Sequence, residues 1–194
     1  MKVEFSDKLK KTLSLSRFNG YEKKIEANLL ISPKTIDVYV YYAWNTALSE
    51  SLYAPLQALE VALRNTIHNT ATDHFNDDMW FANTSILHDS FQKKSIAKAK
   101  TSLIKRGADI KPNRIIAELS FGFWTSLFNV QYDIKLWHPL IRKTFPHMLK
   151  KYRTRGNIGR RLNKIRNLRN RIFHYEPIWY RPLAPRHSEI IERS

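Results

Sequence analysis

The chain has 194 residues, 43% of them apolar and only five of them glycine, which favours a globular, mostly helical protein over a disordered chain or a turn-rich β fold. It contains no cysteine, which excludes disulfides, thiolate metal sites and cysteine nucleophiles. The net charge is +16, and residues 142–181 contain thirteen Lys or Arg and one acid; because solubility needs a net charge of only about 2–8, nucleic acid is favoured as a partner over a merely solvated surface.

No membrane or export segment is expected. The chain has no run of about 18 apolar residues, which a membrane-spanning helix needs. Its first residues, MKVEFSDKLKKTLSL, are charged throughout and lack the apolar core of a signal peptide. Together with the missing cysteines, this predicts a cytoplasmic protein without a membrane partner.

The apolar residues of the first half of the chain recur at helical spacing. Residues 4–30 predict one or two amphipathic helices with a break at Gly20. Residues 36–72 predict two helices that meet near residues 49–51, because Pro55 suits the first turn of a helix better than its interior.

A loop is expected at residues 73–87, with Trp80 and Phe81 packed on the body of the protein. The next helix spans about residues 90–105 and ends at Gly107, since glycine is common just after a helix C-terminus.

The second half predicts three more helices. One begins at residues 111–113 and carries the apolar stretch IIAELSFGFWTSLF. Trp137-His138-Pro139 predicts a break, and residues 140–151 predict a further short helix. A strongly basic helix spans residues 157–173 and ends before Pro177, which prevents its continuation.

These elements predict an all-α fold, a bundle of about six to eight helices. We expect one domain over residues 1–194. Residues 1–32 form an N-terminal helical extension in this prediction, and residues 181–194 form a C-terminal tail.

The stretch NLRNRIFHYEP, residues 167–177, gathers Arg, Asn and His in a region with few acids. On a helix, Asn170 and His174 are i and i+4 and share a face, with Arg166 one turn further back. Arg169 lies about 140° round the helix from His174, but its side chain is long enough to reach that face. The pattern can therefore present an imidazole, an amide and one or two guanidiniums to a single phosphate.

Such a group suits phosphodiester cleavage without a metal. His can take a proton from a ribose 2′-hydroxyl or give one to the leaving 5′-oxygen. Arg can bind the phosphate and stabilise its charge in the transition state. RNA carries the required 2′-hydroxyl and DNA does not. From the residues alone, the alternative is an ordinary basic helix whose His caps its end.

Three ordered blocks carry a resemblance to a known family: LEVALRNTIH at 59–68, LSFGFWTSLF at 119–128 and RNLRNRIFHYEP at 166–177. Over about residues 36–180, they resemble the Abi-like (abortive infection) branch of the HEPN superfamily, found in bacteria. Arg169 and His174 match the R-x(4–6)-H motif of that superfamily, and Asn170 is the polar residue that it favours directly after the Arg.

The resemblance implies a HEPN-like helical bundle and a metal-independent endoribonuclease that needs no cofactor. It implies a homodimer in which two motif helices face each other and form one composite site. In that site Arg169 binds the phosphate and stabilises the transition state, Asn170 is its polar neighbour, and His174 is the acid or the base. Glu176 has a supporting role.

The resemblance also implies a toxin of phage defence that cuts host or phage RNA. Some HEPN toxins work with a nucleotidyltransferase antitoxin that modifies a Tyr two residues after the His. This chain has Glu176 at that position and its tyrosine at Tyr175, so this mode of control departs from the family pattern. An antitoxin, either RNA or protein, is an expected partner.

Further residues are expected to serve the site. In LEVALRNTIH, Glu60 and Arg64 are i and i+4 and can form a simple ion pair. The resemblance implies instead that Glu60, Arg64 and Asn65 orient the catalytic Arg and His. We expect His68 on the surface or at a cap. RNA binding is expected from five basic residues: Arg166, Arg171, Lys150, Lys151 and Arg153.

The block LSFGFWTSLF is expected to pack in the core, with Gly122 allowing a close helix approach; the alternative is that Phe121 or Trp124 stacks a base. The other histidines lack metal-ligand spacing, so no metal site is expected. Two alternatives to an enzyme are a non-catalytic nucleic-acid-binding module on the same fold and an interaction protein of a toxin–antitoxin pair.

Overall fold

The computed structural model describes residue 8 and residues 10–181, and in this part of the chain it contains helices and no strand. In chain order, the α-helices are α1 (Leu15–Leu29), α2 (Thr35–Phe75), α3 (Ser90–Lys105), α4 (Pro112–Glu118), α5 (Phe121–Ser126), α6 (His138–Thr144) and α7 (Arg155–Phe173). A short helical stretch at residues 10–13 precedes them. The predicted all-α fold of about six to eight helices is confirmed for the described residues. Of the predicted C-terminal tail, Arg181 alone lies within them.

The chain divides into two compact units. The first consists of the residues up to Leu56 and from Leu168 onward, and the second of residues 57–167. Both α2 and α7 therefore contribute residues to both units. That residues 1–194 form one domain stays a prediction.

The core of the first unit is aromatic. On α1, Phe18, Tyr21 and Ile25 are buried and recur every three or four residues, so one face of this helix is apolar. These residues pack with Val38 of α2 and with Trp179. Partly buried side chains surround the cluster, namely Tyr39, Tyr41, Tyr42, Leu48 and Tyr180. The segment after α7 is thereby anchored in the same core as α1.

The second unit buries the aromatic residues that the sequence predicts to be packed. Trp80 and Phe81 lie in a 3₁₀ turn after α2 and are 0% and 1% exposed. The block LSFGFWTSLF also lies in the core, which confirms its predicted packing. The alternative that Phe121 or Trp124 stacks a base is wrong, because these side chains are only 3% and 0% exposed.

His68 is buried rather than exposed, contrary to expectation. Its Nδ1 accepts a hydrogen bond of 3.3 Å from Nε1 of Trp80. A buried indole N–H needs an acceptor, and an imidazole can accept at Nδ1 only when that nitrogen carries no proton. His68 therefore has a structural role in the second unit.

The segment predicted as two helices is one helix, α2, of 41 residues, with Pro55 in its interior. A proline there removes one backbone donor and costs about 3 kcal/mol. Leu52 and Leu56 on either side are buried, and burial of each stabilises by about 1.5–3 kcal/mol. Packing along the helix therefore outweighs the local preference of proline for a helix start.

Capping side chains set two boundaries that differ from the prediction. Gly20 lies inside α1, and the break falls at Ser14, whose hydroxyl accepts from the N–H of Arg17 at 3.4 Å. The predicted helix with LSFGFWTSLF is interrupted at Ser120, which caps α5 by accepting from the N–H of Phe123 at 3.3 Å. A serine hydroxyl satisfies a donor at a helix start that has no partner within the helix.

The break predicted at residues 137–139 does not occur. A π-helical turn, Asp133–Trp137, runs directly into α6. The proline of the predicted break lies in the first turn of α6, where its missing N–H loses no hydrogen bond. α6 ends at Thr144, earlier than predicted, because Phe145 precedes Pro146 and a residue before proline avoids the helical conformation.

The basic helix α7 agrees with the prediction and begins two residues earlier, at Arg155. A Cβ on Gly159 would lie 3.1 Å from Cβ and 3.3 Å from the carbonyl oxygen of Phe128. A Cβ on Gly122 would meet only the Ser120 hydroxyl, at 3.5 Å. The close helix approach predicted for Gly122 is therefore made at Gly159.

Candidate functional site

The predicted motif lies at the C-terminal end of α7, where a backbone turn ends the helix. The N–H groups of Tyr175 and Glu176 donate to the carbonyls of Ile172 and Arg171, at 3.0 and 2.9 Å, in a Schellman arrangement. Tyr175 has a φ of 56°, a left-handed conformation that costs a residue other than glycine about 1–2 kcal/mol. The turn thus holds a strained tyrosine directly after His174.

A buried amide from α2 fixes the segment after this turn. Asn45 is 3% exposed. Its Oδ1 accepts from the N–H of Ile178 at 2.7 Å, and its Nδ2 donates to the carbonyl of Glu176 at 3.4 Å. Pro177, between these two groups, has no N–H. Asn45 therefore supplies partners for backbone groups that the helix no longer satisfies.

Of the predicted catalytic residues, Asn170 and His174 are exposed and Arg169 is half-buried. The N–H of His174 donates to the carbonyl of Asn170 at 2.9 Å, so these two residues follow each other on one side of the helix. The Arg169 guanidinium lies over the Phe173 ring, 4.1 Å from its centroid. That ring packs edge-on against Tyr53, with centroids 5.2 Å apart. Stacking orients the guanidinium and keeps its N–H donors at its edge.

Arg171, predicted to bind RNA, and Glu176, predicted to support catalysis, form an ion pair with Nη1 and Oε2 3.1 Å apart. The same Nη1 donates to the Tyr180 hydroxyl at 3.4 Å, and Lys24 and Arg181 lie over the Tyr180 ring at 4.9 and 5.6 Å. Burial raises the pKa of Tyr180, but the hydrogen bond and charge of Arg181, with the charges of Lys24 and Arg171, outweigh it and lower the pKa. The charge of Arg171 is thus partly balanced within the first unit.

His174 lies on the wall of a surface groove of about 270 Å³ in the first unit. The start of α1 contributes Arg17, Gly20 and Tyr21, and the turn after α7 contributes Tyr175. The Arg17 guanidinium lies over the Tyr175 ring, 5.7 Å from its centroid. The groove therefore brings an imidazole, a guanidinium and an aromatic ring together.

The predicted orienting residues of α2 lie in the second unit. Glu60 and Arg64 are half-buried and Asn65 is exposed. Arg64 donates from Nε to Oδ1 of Asn65 at 3.1 Å. Arg166 on α7 is also half-buried and belongs to the same unit. That Glu60, Arg64 and Asn65 orient the catalytic residues stays a prediction.

The remaining predicted RNA-binding residues of the second unit differ in their surroundings. Lys150 and Lys151 are exposed. The Lys151 ammonium and the Arg161 guanidinium flank the Tyr152 ring, at 4.8 and 5.2 Å from its centroid. Arg153 instead donates to two backbone carbonyls after α6, at 3.3 and 3.2 Å. Arg153 therefore stabilises the chain after α6, whereas the two lysines present their charge to solvent.

In the part of the chain that the structure describes, no three His, Asp or Glu side chains are grouped so that they could hold a metal ion. Over the same residues, no helix combines the length and the apolar character needed to cross a bilayer. Comparisons with family models, curated proteins and solved structures gave no match.

Three residues at this site are not predicted from the sequence: Arg17, Asn45 and Tyr175. The sequence gives a reason to examine Asn45, since a single Asn within an apolar helical stretch is costly to bury without hydrogen bonds. It gives a weaker reason to examine Tyr175, because the position after a helix end often adopts the left-handed conformation. It gives no reason to examine Arg17, since the position of Arg17 depends on how α1 packs.

Proposed function

We propose that the chain is a metal-independent endoribonuclease of the HEPN type, active as a homodimer. The observation that carries the proposal is the exposed end of α7, where His174 and Asn170 share one side of the helix and the Phe173 ring orients Arg169. The net charge of +16 supports RNA as the substrate. The three blocks that resemble Abi-like HEPN proteins support the same reaction.

The proposed reaction is a transesterification within RNA. A base removes the proton of the 2′-hydroxyl, the 2′-oxygen attacks phosphorus, and the bond to the 5′-oxygen breaks as that oxygen receives a proton. The products carry a 2′,3′-cyclic phosphate and a 5′-hydroxyl. Arg169 binds the non-bridging oxygens and stabilises their charge. His174 acts as acid or base, and the motif of the second copy supplies the complementary group.

Other residues have supporting roles in this proposal. Glu176 supports the catalytic groups, the resemblance assigns an orienting role to Glu60, Arg64 and Asn65, and the exposed lysines Lys150 and Lys151 attract the RNA backbone. The resemblance to abortive-infection proteins extends the proposal to a bacterial toxin of phage defence, controlled by an RNA or a protein antitoxin. Expression of the wild-type chain, but not of His174→Ala, should then arrest growth of a bacterial host.

The chemistry of the products tests the reaction. With a defined oligoribonucleotide, we expect fragments that end in 2′,3′-cyclic phosphate. A single 2′-deoxy substitution at the cut site should stop cleavage there, because it removes the attacking oxygen. Fragments that end in a 3′-hydroxyl would contradict the mechanism, since they require water as the nucleophile.

A second candidate function is a non-catalytic RNA-binding module. It is favoured by Tyr152, which is 37% exposed and has the Lys151 ammonium and the Arg161 guanidinium at 4.8 and 5.2 Å from its ring centre, because an exposed ring beside positive charges can bind single strands by stacking and charge. In this case Tyr152→Ala weakens RNA binding. RNA then stays intact with the wild type as well as with His174→Ala.

A further inference from the structure

The groove beside His174 contains a ring in an unusual backbone position. Tyr175 occupies the left-handed region with a φ of 56°, where glycine would be free of strain. Tyr175 is also 60% exposed, so a ligand can reach its side chain.

Arg17 adds a positive charge to the same groove. It lies in the first turn of α1, is exposed, and places its guanidinium 5.7 Å from the centre of the Tyr175 ring. A guanidinium can stack on an aromatic face and donate from its edge at the same time. The pair thus offers a flat surface for a base and donors for a phosphate.

The wall of the groove is open at Gly20 on α1. A Cβ added there would meet no atom within 4 Å, so this position leaves room for a ligand beside Arg17 and Tyr175.

We propose that this groove binds the RNA nucleotide next to the cleaved bond, with a phosphate on Arg17 and a base stacked on Tyr175. The inference rests on the proposed function, because it assigns a substrate subsite to the groove that His174 lines. Arg17 and Tyr175 are positioning residues for the RNA strand. Neither of them carries out the proton transfers.

Binding can be measured without cleavage in the His174→Ala protein, by fluorescence anisotropy of a labelled oligoribonucleotide. Adding Arg17→Gln should weaken binding about tenfold, because a charge-assisted contact is lost, and should reduce the salt slope by about one. Lys23→Gln is the matched control. Lys23 is exposed on the same helix and does not line the groove, so its loss should change binding less than about twofold.

Three further variants separate the effects of the Tyr175 ring and of the groove space from the effect of the Arg17 charge. Tyr175→Gly suits the backbone conformation, so an about tenfold loss of binding would report the missing stacking surface; Tyr175→Phe should bind like the parent. Gly20→Leu leaves all charges in place and adds a side chain to the groove wall. It should also weaken binding, because it competes with the nucleotide for space.

Equal losses of RNA binding with Arg17→Gln and Lys23→Gln would overturn the inference. Unchanged binding by Tyr175→Gly and Gly20→Leu would also overturn it, as would a failure of the His174→Ala parent to bind RNA at low salt.

Cleavage assays with His174 intact separate the groove inference from the ribonuclease proposal. If groove variants cleave like wild type, the groove inference alone fails. If wild type cleaves nothing but the groove variants lose RNA binding, the ribonuclease proposal fails and the groove is a binding site.

Discussion

Single residues in this protein show how aromatic rings hold charged groups in place. Arg169 over Phe173 is the closest of these contacts at the motif, at 4.1 Å. The ring limits the orientations of the guanidinium, which matters because a small misplacement of a catalytic group costs much rate. Phe173 is therefore a positioning residue in the proposed enzyme.

Replacing Phe173 tests this role. Phe173→Leu keeps an apolar side chain beside Tyr53 but removes the stacking surface, so kcat should fall about tenfold while KM changes less than about twofold. Steady-state cleavage of a short RNA gives both constants. Leu30→Ala, at an exposed apolar residue outside the motif, is the control. An unchanged kcat for Phe173→Leu would show that the ring has no part in orienting Arg169.

The side chain of His68 makes the stability of the protein depend on pH. Burial lowers its pKa below the usual value, and the negative charge of Asp78 opposes this only in part. The unfolded chain therefore binds the proton more readily than the folded chain. The neutral form of His68 therefore contributes its full stabilisation of the fold above about pH 6.5. This contribution is lost as the pH falls below that value.

Urea unfolding at about pH 7.5 and about pH 5.5 measures this effect. The free energy of unfolding should fall toward the lower pH, and His68→Gln should remove part of that fall, because glutamine can accept from Trp80 without titrating. His74→Gln, at an exposed histidine, is the matched control variant. If wild type and His68→Gln lose stability equally, His68 is not the titrating group.

Among the helices and turns, the bend after α7 depends on one side chain from α2. Asn45→Leu leaves the buried N–H of Ile178 without an acceptor, so it should lower the free energy of unfolding by about 1–3 kcal/mol. Asn69→Leu, at an exposed amide on the same helix, should change it by less than about 0.5 kcal/mol. Thermal or urea unfolding checks both. Equal effects would mean that Asn45 does not hold the bend.

Two strained helix ends form a natural pair for comparison. Leu30, after α1, and Tyr175, after α7, both have a φ of 56°, and Leu30 is 89% exposed. Glycine at either position should raise the free energy of unfolding by up to about 1 kcal/mol, because it relieves the strain. RNA binding should fall only with Tyr175→Gly. A loss with Leu30→Gly as well would indicate a general effect of helix ends.

The sequence predicts where most helices lie, because apolar spacing is a local pattern. Residues 90–105 and the basic helix match the structure closely, since caps and prolines near their ends act locally. The helix boundary predicted from Pro55 is wrong, because burial of the neighbouring leucines outweighs the cost of a proline inside a helix. The boundaries at Ser14 and Ser120 depend on hydroxyl caps that apolar periodicity does not register.

For the protein as a whole, the net charge and the motif predict an RNA partner, while the geometry of the groove depends on tertiary packing. The residues around His174 can be predicted from the sequence. The approach of Arg17 and the hydrogen bonds of Asn45 cannot, because they join residues far apart in the chain. The sequence thus predicts the candidate catalytic residues, and the folded chain reveals what surrounds them.

In the proposed function, the protein cuts RNA with His174 and without a metal. Purified wild-type protein and His174→Ala are incubated with mixed cellular RNA in excess EDTA, and the RNA is resolved by size. We predict fragments with the wild type and intact RNA with the variant, which should still bind RNA because binding rests on many basic residues. Intact RNA with both proteins, or fragments with both, would mean that His174 does not catalyse metal-independent RNA cleavage.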